Sequence, residues 1–209
     1  MERRTSLDEA YQILGNNLIG PKELLKYSSM MNITVTETVP EILYSKEELS
    51  KFANDYLLVL GCSKTSEGEP ITLHSLRQHF GIDPDLSEPC FYNQDWYMKE
   101  DFMYKSLSDG WYLIRKTLFE ESRAKNYDEM KNLYHLPSAV LCAFVFFANF
   151  FHNGEYLWKD DFVWCSDTDH SDDRIYVGRY NDINGLNKNG FSIHRHLKLK
   201  KWYGFIDAK

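Results

Sequence analysis

Two histidines two positions apart, His194 and His196, end the run Gly190-Phe-Ser-Ile-His-Arg-His, whose alternation reads as a β-strand. Side chains at i and i+2 of a strand share a face, so the two imidazoles stand about 7 Å apart at the backbone. A third ligand from a neighbouring segment would complete a zinc or iron site. Asp167, Asp169 and His170 offer one, from the polar run Asp167-Thr-Asp-His-Ser-Asp-Asp173. Such a site describes a metal-dependent enzyme carrying a divalent ion. The alternative is an exposed polar face that continues into Lys198 and Lys200. The same run spaces oxygens at positions 1, 3, 5 and 7, as a calcium loop does, but Asp172 falls where the sixth-position glycine belongs and Gly178 where the twelfth-position glutamate belongs.

A second kind of chemistry is recognition by rings. Residues 87–111 interleave Phe91, Tyr92, Trp96, Tyr97, Phe102, Tyr104 and Trp111 with amides and carboxylates. Rings supply apolar area and polar tips supply orientation, the composition of sugar- and peptide-binding surfaces. Trp96, Tyr97, Trp164, Tyr176 and Arg195 are the residues expected to form a ligand-binding surface, and a core beneath a long loop is the competing explanation. The formal net charge of −7 repels nucleic-acid phosphates and anionic membranes. A C-terminal basic edge of Arg179, Arg195, Lys198, Lys200 and Lys201 keeps an anionic or nucleic-acid ligand in view. The sequence contains no G-x-S-x-G, H-E-x-x-H or dinucleotide-binding glycine pattern.

These residues need positioning elements. Hydrophobic residues make up 43% of the 209 positions, enough for a large core. Residues 1–31 read as a pair of short helices, a helical N-terminal extension, with Ser6 opening the first and Pro21 the second. The main domain is expected over 40–209. In it Ser45 and Glu48 form a capping box, Asp55–Gly61 reads as a buried strand, Thr72 caps a helix that stops at Gly81, and Gly110–Lys116 alternates as a strand. The apolar run 137–152, entered at Pro137 and closed by Asn153-Gly154, predicts a buried helix too short to span a bilayer. Asp161–Cys165 and Arg174–Tyr180 are expected to pair as a hairpin across the acidic turn. Turns at Asp182–Gly185 and strands at 190–196 and 202–206 complete an antiparallel meander. Cys62, Cys90, Cys142 and Cys165 lack C-x-x-C spacing and suit buried reduced thiols. The opening MERRTSLDEAYQ has no apolar signal region, so the cytoplasm is the expected compartment, with no membrane partner.

Leu136-Pro-Ser-Ala139 opening a helix, Trp164-Cys-Ser166 on the next strand, and the closing Gly190-Phe-Ser-Ile-His-Arg195 resemble the C-type-lectin-like fold, in particular bacterial domains related to formylglycine-generating enzymes. The wider pattern over residues 40–205 also resembles a group of bacterial proteins without an assigned function. The resemblance implies an α+β, C-type-lectin-like domain. It does not extend to the family's chemistry: only Cys165 lies in the C-terminal third outside the helix, and neither a Glu-Pro-Asn nor a Trp-Asn-Asp calcium triplet occurs. The expected function is therefore non-enzymatic binding of a protein or small-molecule ligand.

Overall fold

The fold is that of a computed structural model, which describes residues 4–180, 189–195 and 200–209. Helix α1 (Leu7–Leu14) starts at a full capping box between Ser6 and Glu9, and the two-residue strand β1 (Leu18–Ile19) follows. Helix α2 (Pro21–Met31) begins on its proline and ends at Asn32 in the left-handed conformation. Helix α3 (Lys46–Phe52) opens on the Ser45/Glu48 box. It leads into strand β2 (Tyr56–Gly61), every residue of which is buried. Helix α4 (Leu73–Phe80), capped by Thr72, stops at Gly81. Strand β3 (Gly110–Arg115) and the short helix α5 (Tyr127–Met130) precede helix α6 (Ala139–Asn153). The last elements are β4 (Phe162–Thr168), β5 (Arg174–Tyr180), β6 (Gly190–His194) and β7 (Tyr203–Gly204).

Two mixed sheets, ordered β1-β2-β3 and β6-β5-β4-β7, make an α+β architecture. Helix α6 lies between them, touching β1 and β2 on one side and β4 and β5 on the other. That placement explains a helix apolar nearly all round: residues Ala139 through Asn149 are all buried. Phe147 stacks on Phe80 of α4 at 3.8 Å between ring centres, and Phe146 meets Phe191 of β6 at 5.2 Å. The helix begins two residues later than the start expected at Pro137. Ser138 is its N-cap, accepting the Leu141 N–H, and Gly154 closes it in the left-handed conformation. Among the described residues no helix is long and apolar enough to cross a membrane.

The β4–β5 hairpin forms as expected, and β6 continues it antiparallel to β5. The last strand departs from a meander: β7 returns to the far edge and runs parallel to β4. Both β5 edges are taken and Phe91 and Tyr92 lie along β6, so β7 joins the outer edge of β4. The expected turn at Asp182–Gly185 lies outside the described residues. Residues 4–31 enter the common core. Strand β1 pairs with β2, and Ala10, Leu14, Leu18, Ile19, Leu24 and Met31 pack in the cluster that holds α6.

Candidate functional site

Strand β4 carries Val163, Cys165 and Asp167 on its buried face, with Asp167 facing the start of α6. Asp167, expected in the hairpin turn, is thus a strand residue, only 3% exposed. Its Oδ2 accepts the Ala139 N–H at 2.7 Å and its Oδ1 the Lys105 ammonium at 2.8 Å. A carboxylate at a helix N-terminus is favoured by the unpaired amides and the dipole there.

The turn proper is organised by Asp169. Its Oδ1 accepts the N–H groups of Ser171 and Asp173 at 2.8 and 3.0 Å, and its Oδ2 takes the guanidinium of Arg195. Burial raises the Asp169 carboxyl, but Arg195 and the two amides outweigh it and hold it below the ordinary value. Arg195 lies 4.5 Å over the ring of Trp96 and 3.7 Å from Glu100 Oε1. Trp96 in turn donates its indole N–H to the Ile193 carbonyl at 3.2 Å. Buried Glu100 reaches back to the turn, its Oε2 accepting the His170 backbone N–H at 2.9 Å and its Oε1 meeting Nδ1 of the same residue at 2.7 Å. As a donor to that carboxylate oxygen Nδ1 carries the proton, and Nε2 has no partner among the described residues. The His170 side chain is 68% exposed. Between the turn and residues 99–105 lies a pocket of about 240 Å³, lined by Lys99, Glu100, Asp101, Lys105, Asp169 and His170 among others.

Trp96, Arg195 and Asp169, expected at separate sites, therefore meet at the turn, whereas Asp167 stands apart at the start of α6. Glu100 was not singled out by its sequence, and no local pattern marks it: its partner lies 70 residues away. The other ring residues are corrected by their burial. Tyr97 and Tyr176 are 0% and 1% exposed and Trp164 is 7% exposed, so none offers a ring face to a large ligand. Tyr97 packs against Trp96, and Trp164 and Tyr176 belong to a second aromatic cluster with Tyr203 and Phe205.

The metal chelate also changes. His194 is wedged between Phe162 and Tyr176, its Nε2 is 3.2 Å from Ser192 Oγ, and burial pushes its pKa down to about 4. His196 lies outside the described residues. Among the described residues, the group of three with metal-ligand spacing is instead Glu100, Asp169 and His170, whose ligand atoms fall within 4.8 Å of one another. Their lone pairs face donors already: Arg195, three backbone amides and the Nδ1 proton. A divalent ion would have to displace the guanidinium and strip that proton, so these residues do not fit an open coordination sphere. The basic edge is dispersed as well, with Arg179 buried over Tyr156, Lys200 set against Trp202, and Lys198 outside the described residues.

All four cysteines are buried free thiols. Burial raises Cys62 to about 12 and Cys90 to about 11, the opposite of an activated nucleophile. Comparison of the chain with protein-family models, with curated proteins and with solved structures found no match.

Proposed function

We propose that this α+β protein is a non-enzymatic binding protein, built on a C-type-lectin-like domain, that takes a small-molecule or protein ligand at the rim of the β4–β5 turn. The Leu136-Pro137-Ser138 entry to α6, followed by the antiparallel β4-β5-β6 series, supports the fold part of this reading. One observation carries the binding part: Trp96, Arg195, Asp169 and Glu100 are spent on tying down the turn, and they leave the His170 ring standing at a pocket with its orientation set by a buried carboxylate. Recognition groups held on a rigid base lose little entropy on binding. A thermal-shift screen of fragment-sized polar compounds on wild type, His170→Ala and Glu100→Gln tests it. Hits should vanish in His170→Ala and weaken in Glu100→Gln, and hits indifferent to both changes would overturn the reading.

The Glu100–His170 pair favours a second reading, because a carboxylate on Nδ1 is also how a general base is oriented. Turnover of an activated ester such as p-nitrophenyl acetate, lost in His170→Ala, would move the protein among the enzymes.

A further inference from the structure

The pocket beside His170, of about 240 Å³, has six titratable residues in its wall: Lys99, Glu100, Asp101, Lys105, Asp169 and His170. We propose that it binds a small zwitterion of the α-amino acid class, its carboxylate received by the Lys99 ammonium and its own ammonium held between the Asp101 carboxylate and Nε2 of His170. This ligand class rests on the reading of the pocket as a binding site.

Three of the six residues are already taken. Asp169 is buried under Arg195 and two backbone amides, and Glu100 under the backbone and ring N–H groups of His170. Lys105 donates to Asp167 at 2.8 Å. Three groups remain. Neither the half-buried Lys99 nor the exposed Asp101 has a hydrogen-bond or ion-pair partner among the described residues, although they stand two positions apart. The His170 side chain is 68% exposed, and with Nδ1 on Glu100 the neutral ring keeps Nε2 as an acceptor. One cation, one anion and one acceptor therefore share a wall. A simple anion meets Asp101 and a simple cation meets Lys99, whereas a ligand carrying both charges answers both. An ammonium has three N–H donors, enough for a carboxylate and Nε2 together. The buried Glu100 bonds hold the imidazole in place, so the acceptor is preorganised. The volume falls below the range for drug-sized ligands, about 300–1,000 Å³, which restricts the ligand to a few heavy atoms.

The test is a titration of full-length protein carrying ¹⁵N-labelled histidine, at about pH 8 where an ordinary imidazole is neutral, with glycine and with acetate and methylammonium as its single-charge halves. The readout is the His170 Nε2 resonance, assigned by its absence in His170→Gln. Glycine should shift that resonance saturably, and either half should bind at least about tenfold more weakly. Lys99→Met and Asp101→Asn should each weaken glycine about tenfold or more, and neither change removes a bond within the described residues. Should a variant unfold, the comparison of glycine with its halves on the wild type decides by itself. An unmoved His170 resonance, equal binding of acetate or methylammonium alone, or glycine binding insensitive to Lys99 or to Asp101 would each overturn the proposal. If other polar fragments still require His170 in the thermal-shift screen, the binding site stands and only the ligand class falls; if none does, both fall.

Discussion

His194 sits between Phe162 and Tyr176, where desolvation lowers its pKa from 6.5 to about 4. An unfolded chain takes up this proton near pH 6.5, whereas the folded one resists until near pH 4. Between those values the unfolded state binds more protons, so the contribution of His194 to stability is complete above about pH 6.5 and is lost as pH falls toward 4. The loss amounts to at most ~3 kcal/mol. In His194→Phe, which keeps the ring contacts without the titration, the stability difference between pH 7 and pH 4 measured by chemical denaturation should shrink by that order. An unchanged pH dependence would show that the ring is already solvated. His170 and His194 share a type, but one is a solvent-facing ring on a carboxylate anchor and the other a half-buried ring packed between Phe162 and Tyr176.

At the scale of elements, the join between α6 and β4 rests on Asp167. Replacing it by alanine strands the Ala139 N–H in a buried setting, which should cost ~2–3 kcal/mol. Asp167→Asn retains an acceptor and should cost less. Lys105→Met should cost about 1 kcal/mol or less, because its ammonium is more than half exposed and such pairs contribute little. Equilibrium unfolding of the three variants checks the ranking, and a Lys105 variant as damaged as Asp167→Ala would contradict it. The helix starts, the Ser45 and Thr72 caps and the two longest apolar segments were legible in sequence, since capping and periodicity act within a few residues. The parallel placement of β7 was not, because two residues carry no pairing preference and a free sheet edge decides their partner.

For the molecule as a whole, the first 31 residues matter most to how the chain is divided. Their two helices were readable from Ser6 and Pro21, but the strand between them consists of Leu18 and Ile19 alone. Both are fully buried beside β2 and packed with α6. A chain lacking residues 1–20 should therefore lose cooperative thermal unfolding rather than shed an independent appendage, because it uncovers the β2 edge and several fully buried side chains. A sharp transition near the intact protein's melting temperature, followed by circular dichroism, would refute this.

Sequence by itself determined the longer helix and strand segments, though not β1 or α5, together with the buried character of α6, the reduced state suited to the cysteines and the hairpin that presents the acidic turn. All of these follow from interactions spanning at most about ten residues or from composition. Only the tertiary structure decided which polar groups share a site. Glu100 meets His170 across 70 positions, Arg195 meets Asp169 across 26, and Lys105 meets Asp167 across 62. The reason is that a charged residue pairs with whatever the packing of α6 between two sheets brings within about 3 Å of it, and neither residue type nor local spacing encodes that distance.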